Sequence, residues 1–130
     1  MGAFDTLRIA SSSLGVHQTW LDSLANNIAN INTVTSTSED AFQTTTPIVR
    51  SSAGGGVEIA GFALSDPEGR VTSDPTSPLA DADGYVRLPE DDLASQMTQL
   101  VMAQRGFQAS VQVTKDAQET YSSALQIGKA

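Results

Sequence analysis

Leu7, Leu14, Leu21 and Ile28 recur every seven residues along the first thirty positions, and Ala3, Ala10, His17, Leu24 and Ile31 run beside them at an offset of three or four. Two interleaved seven-residue series mark a helix with a coiled-coil-like seam. The spacing predicts about 26 helical residues, or about 39 Å at 1.5 Å per residue. Asp5 is a candidate N-cap or first-turn acid that meets the free amides and the positive helix end, and Asn32-Thr33 closes the pattern.

A second seam is read near the other end, through Leu93, Met97, Leu100, Gln104, Phe107, Val111, Thr114, Gln118, Tyr121 and Leu125, broadened by Val101, Ala117 and Ala124. Pro89 with Glu90, Asp91 and Asp92 predicts the start of a helix of about 35 residues, with Pro in its first turn. Gly128 in a left-handed conformation is the expected stop, with Lys129 complementing the dipole. Polar His17, Gln104, Thr114 and Gln118 stand on these contact lines. Gly15 and Gly106 each cost about 1 kcal/mol relative to Ala in a helix, which is offset where a glycine lets two helices approach closely.

Between the helices the periodicity disappears. Val34–Ser38 and Gln43–Gly56 are rich in Ser, Thr and Gly and read as mobile loop. Val57, Ile59 and Phe62, then Arg70-Val71-Thr72 and Tyr85-Val86-Arg87-Leu88, read as short strands, with Asp66-Pro67-Glu68-Gly69 as a turn. The expected fold is mainly α: long N- and C-terminal helices packed as a coiled-coil-like hairpin, with a small β-hairpin or sheet between them. The expected divisions are an N-terminal helix of the helical core (1–33), a loop and β-rich insertion (34–89) and a C-terminal helix of the core (90–130).

Composition shifts this picture toward assembly. Leu, Ile, Val and Phe make up only 29 of 130 residues and aromatics 5%, so little is available for a self-sufficient core. Small domains with so little to bury commonly associate. The net charge of −8 is concentrated in residues 34–92, where eleven acids face three arginines, while the two end segments stand at −1 and +1. The near-neutral ends suit contact, and the acidic middle supplies solubility. Without a basic patch, nucleic acid is not an expected partner. No apolar run reaches the roughly 20 residues that span a bilayer, and Met1 to Trp20 lacks the pattern of a cleavable signal peptide.

Candidate chemistry is sparse. With one His and no Cys, thiolate chemistry and disulfides are excluded. His17 reads as a packed structural side chain. Ser13 stands four residues before it, with no third group to orient the pair. Asp81-Ala82-Asp83-Gly84 invites comparison with a calcium loop. That alignment puts Leu79 at the first ligand position and Arg87 at the ninth, so the segment reads as a tight turn capped by Asp side chains. No enzyme activity, cofactor, metal or small-molecule substrate is expected.

Two stretches carry a family resemblance. Leu21-Asp22-Ser23-Leu24-Ala25-Asn26-Asn27-Ile28-Ala29-Asn30-Ile31-Asn32-Thr33 resembles the N-terminal signature of axial rod and hook proteins. Asp74-Pro75-Thr76-Ser77-Pro78-Leu79-Ala80-Asp81-Ala82-Asp83-Gly84-Tyr85-Val86-Arg87-Leu88-Pro89 is similar to a segment of the flagellar basal-body rod protein family, on its proximal-rod branch. Met1-Gly2-Ala3-Phe4-Asp5 and Ala124-Leu125-Gln126-Ile127-Gly128 fit it too, whereas Ala41-Phe42-Gln43-Thr44 stands where relatives carry an aromatic with basic residues. The resemblance implies a structural rod subunit exported by the flagellar type III apparatus without a cleaved leader. Its implied partners are other rod subunits, the basal-body membrane ring and copies of itself. The residues expected to pack between subunits are Leu7, Leu14, Leu21, Leu24 and Ile28, with Asn26, Asn27 and Asn30 as hydrogen-bonding groups, and Leu100, Phe107, Val111, Tyr121 and Leu125 on the second helix. Two readings stay open: another rod- or hook-type axial subunit, and a coiled-coil adaptor module.

Overall fold

The computed structural model describes residues 2–129; Met1 and Ala130, which belong to the opening motif and to the last division, lie outside them. The element order is α1 (Ala3–Asn30), β1 (Thr45–Ser51), β2 (Val57–Leu64), β3 (Arg70–Ser73), β4 (Tyr85–Leu88) and α2 (Leu93–Ile127). The chain is therefore mainly helical, with two small sheets inserted between two long helices.

The helix ends differ in detail from the sequence expectation. Gly2 is the N-cap of α1, and Asp5 sits one turn in, its carboxylate accepting the Gly2 N–H at 3.2 Å. At α2 the Pro89–Asp91 segment precedes the helix, and Asp92 is the N-cap, accepting the Ser95 N–H at 2.7 Å. The acids expected in the first turn are instead tied to the insertion: Glu90 accepts the Asp66 N–H at 2.9 Å, and Asp91 accepts the Thr44 hydroxyl. At the other end Gly128 is right-handed, with φ −69°, so the helix closes on Ala124 and Gln126 carbonyls without a left-handed residue.

The insertion is more ordered than its composition suggests. Thr45–Ser51, read as loop, is a strand paired antiparallel with β2 from Thr45↔Leu64 to Ser51↔Val57, with a bulge after Ile48. A Thr- and Ser-rich segment makes a good strand once a partner supplies its ladder. β3 pairs with β4 in a second two-stranded sheet, and the Asp66–Gly69 turn joins the two sheets. Thr35 exchanges two 2.9 Å hydrogen bonds with Arg87 beside β4, which fixes how the chain leaves α1.

The core runs along the antiparallel helix pair and continues into the insertion, where Ala41, Val86 and Pro89 are buried. α1 buries Ala10, Leu24 and, just past its end, Ile31, with His17 half-buried between them. This is one of the two predicted series. α2 buries Gln96, Ala103, Ser110 and Ala117, again at seven-residue spacing, but one residue before the predicted Met97, Gln104, Val111 and Gln118. One residue is about 100° around a helix, so the latter line lies at the side of the seam, with Gln118 still beside Phe4 and Leu7 of α1. Small residues take the seam because they let the two backbones come close. Gly106 is the extreme case: a Cβ there would stand 2.5 Å from His17 Nε2 and 2.6 Å from Cδ2.

Candidate functional site

Three elements meet at Asn27. Its side chain is 1% exposed. The Oδ1 accepts the Thr45 N–H at 2.9 Å, and the Nδ2 donates to the Thr45 carbonyl at 2.9 Å and to Gln96 Oε1 at 3.0 Å. The amide thus pairs with β1 as a neighbouring strand would, and its remaining donor satisfies a buried side chain of α2. This clamp places the β1–β2 hairpin along α1. Farther along, Ser12 Oγ accepts the Val57 N–H at 3.1 Å, and the glycine turn of the hairpin rests on Arg8 and Ile9. An apolar pocket of about 220 Å³, lined by Val16, Trp20, Thr46, Pro47 and Val49, lies between α1 and the hairpin.

The hairpin covers one flank of α1. Ile9 and Val16, which meet it, follow Leu7 and Leu14 by two residues, about 200° around the helix. Leu7, Leu14, Leu21 and Ile28 therefore lie on the flank away from the hairpin, where they are half-buried. Leu7 shares a shallow groove with Phe4, Arg8, Ser12, Thr114 and Gln118, so the groove runs from the flank of α2 round to the side chains that meet the hairpin turn. Leu100, Phe107, Val111 and Tyr121 are half-buried along α2, and Tyr121 stacks at a tilt on Phe4 with ring centroids 6.1 Å apart. Leu125 is 50% exposed, and Leu93, Met97, Val101 and Met102 are similarly open.

The remaining nominated residues lie elsewhere. Leu24 is 1% exposed in the intramolecular seam, and Asn27 is engaged within the chain. Asn26 faces solvent and accepts through its carbonyl from Asn30 Nδ2 at 2.9 Å. Sequence reasoning missed Gln96, Ala103 and Ser110, because small and polar residues do not register as a stripe, and it gave Ala117 only as a margin of the seam. It also missed Asn27 as a clamp, since a helical Asn looks like a surface residue.

Proton-transfer chemistry has little to work with. A carbonyl can only accept, so His17 Nδ1 carries the proton and donates to the Ser13 carbonyl at 2.8 Å, with Ser110 Oγ at 3.1 Å. The Nε2 faces Gly106, and no carboxylate hydrogen-bonds to the ring among the described residues. The Asp81 turn is filled by protein donors. Its carboxylate accepts the Asp83 N–H at 3.0 Å, the Tyr85 N–H at 2.9 Å and the Thr37 hydroxyl at 3.0 Å, and the Tyr85 amide above all holds it below the usual carboxylate range. Asp5 is likewise lowered, first by the Gly2 amide and then by Arg8 at 3.3 Å. Among the described residues no group of His and acids is placed to hold a metal, and no helix is long and apolar enough to cross a membrane.

Residues 92–127, the whole of α2, match the family model for the C-terminal part of flagellar basal body rod FlgEFG proteins. Over the full length, the chain is similar to the flagellar basal-body rod protein FlgC of Yersinia enterocolitica, at 30% identity over 99% of this chain and 100% of that one. The FlgC proteins of Salmonella typhimurium (strain LT2) and Bacillus subtilis (strain 168) are 28% and 27% identical, each again over 99% of this chain and 100% of its own length.

Proposed function

We infer function from kinship: this chain belongs to the FlgC family of flagellar basal-body rod proteins, and it is a structural subunit of the proximal rod. On this reading the chain builds part of a helical tube that crosses the periplasm and transmits torque. Its neighbours are other rod subunits, copies of itself and the basal-body membrane ring, and it reaches them through the flagellar type III export apparatus. It carries out no catalysis.

One observation carries the reading. The apolar stripes of α1 and α2 converge on the flank that the hairpin leaves uncovered, and they have no complete partner within the chain. Leu7, Leu14, Leu21 and Ile28, with Leu100, Phe107, Val111, Tyr121 and Leu125, would be completed by helices of adjacent subunits in coiled-coil-like contact, with Asn26 and Asn30 at the margin. Each further Å² of apolar surface so buried contributes about 25 cal/mol. The 1–33 and 90–130 segments form the packing layer, and the acidic 34–89 segment keeps that layer apart from unwanted contacts. The helical stretches 1–33 and 93–130, at −1 and +1, bring copies together without strong repulsion.

The test is replacement of the chromosomal gene. Cells lacking this chain should neither swim nor yield complete basal bodies, and the restored chain should be recovered in purified basal bodies. Swimming without it, or a stable saturable homodimer in dilute solution with no recovery in basal bodies, would instead favour an adaptor role.

A further inference from the structure

α2 has 35 residues and α1 has 28, so α2 is longer by one seven-residue repeat. The antiparallel register sets residue 13 opposite 110, 17 opposite 106 and 27 opposite 96, and Phe4 meets Tyr121 near the start of α1. The last turns of α2 therefore project past α1, with Leu125 50% and Ile127 77% exposed. Because the buried lines on both helices repeat every seven residues, α1 can in principle move one repeat toward this projection, about 10.5 Å, and keep its apolar pattern matched. All of α1 would still lie against helix.

We propose that His17 over Gly106 and Asn27 against Gln96 form a polar key that selects the observed register and excludes this one-repeat slip. In the slipped arrangement residue 17 stands opposite Val113 and residue 27 opposite Ala103. The histidine ring then meets a branched side chain where it had an open glycine, and Asn27 and Gln96 lose each other, which leaves Asn27 with Thr45 alone. The Ser13–Ser110 pair, 3.1 Å apart, is replaced by Ser13 opposite Ala117. Within the helix seam the heptad spacing of the apolar residues is the same in both arrangements and the polar and glycine positions discriminate; the Thr35–Arg87, Thr44–Asp91 and Asp66–Glu90 ties at the helix ends add to that preference. A single buried polar pair setting register among otherwise equivalent heptads is a known use of such residues. The key acts within the single chain, whether or not that chain assembles into a rod.

The chain has no cysteine, so disulfide mapping has no background. In the otherwise unchanged protein, Ser13→Cys with Ser110→Cys should oxidise readily. Ser13→Cys with Ala117→Cys should give at most about a tenth as much product, since Cα atoms more than about 7 Å apart are not bridged. Replacing His17 and Asn27 together by Leu leaves residues that suit either register, and the 13–117 product should rise to match or exceed the 13–110 product. Gly106→Ala, which drives a Cβ into the His17 ring, should move the ratio in the same direction. Far-UV circular dichroism checks that both variants stay helical. If the double variant loses its helices, Gly106→Ala decides. Exclusive 13–110 product in the variants that stay helical, or loss of helix in both variants with no 13–117 product, overturns the proposal.

Discussion

Asn27→Ala removes the clamp that ties α1 to both β1 and α2. Three hydrogen bonds of 2.9, 2.9 and 3.0 Å are lost together. The two Thr45 groups are only half-buried, so water partly replaces the amide there, at about 1 kcal/mol each. Gln96 is 3% exposed, and its orphaned Oε1 costs about 1–3 kcal/mol. The expected loss is therefore about 3–5 kcal/mol, a large part of the roughly 5–15 kcal/mol that folded domains have in total. In urea, with a slope near 2 kcal/mol per molar, the midpoint should fall by about 1.5–2.5 M with little change in slope. Asn27→Asp separates packing from hydrogen bonding, because it keeps the acceptor for the Thr45 N–H and places a carboxylate oxygen against two acceptors. At neutral pH it should destabilise at least as much as Ala. A loss below about 0.5 kcal/mol for Asn27→Ala, the range of an ordinary surface change, would refute the reasoning.

Two further outcomes follow from particular contacts. Gly69 has φ +56°, and an added Cβ would overlap the Leu88 carbonyl oxygen and lie 2.7 Å from Ala41 Cβ; Gly69→Ala should cost more than about 2 kcal/mol, read from the urea midpoint, and an unchanged midpoint would show that the turn yields freely. Asp81 is lowered from its ordinary 3.8, first by the Tyr85 amide, so the stability it contributes is present above that value and is lost as pH falls through the lower folded value. Amide exchange at Asp83 and Tyr85 should thus stay slow at pH 5 and quicken only below about 3.8, and Asp81→Asn should abolish that acid step; a step near pH 5 would contradict the assignment.

The two helices were legible because heptads of large apolar residues survive any reading window. The rotation of the α2 seam was not. Periodicity selects large side chains, whereas the line between closely approaching helices selects small ones, here Ala103, Ser110 and Ala117, and a polar Gln96 that Asn27 satisfies. The large residues Met97 and Leu125 were consequently placed on the seam and are in fact open to solvent. β1 was hidden for a related reason. Thr45–Ser51 carries only two strongly apolar residues, Ile48 and Val49, and its order comes from β2 and from the Asn27 amide, neither of which is local in sequence. Pro89 and its acids read correctly as a helix boundary but not as a latch, since Asp91 and Glu90 hold Thr44 and Asp66 from distant parts of the chain. The Asp81 turn was legible because Asp two residues before an amide is a local motif.

The claim that matters most is that the apolar stripes on the uncovered flank belong to neighbouring subunits, and Leu125→Asp tests it most directly. Leu125 is half-exposed and takes no part in the intramolecular seam, so the isolated variant should unfold within about 0.5 kcal/mol of the parent. A charge there should nevertheless abolish recovery of the chain in purified basal bodies and stop swimming, with Leu21→Asp on the facing helix giving the same assembly defect. If cells carrying Leu125→Asp swim normally and their basal bodies contain the chain at parental level, the exposed stripe is not where this subunit meets its neighbours.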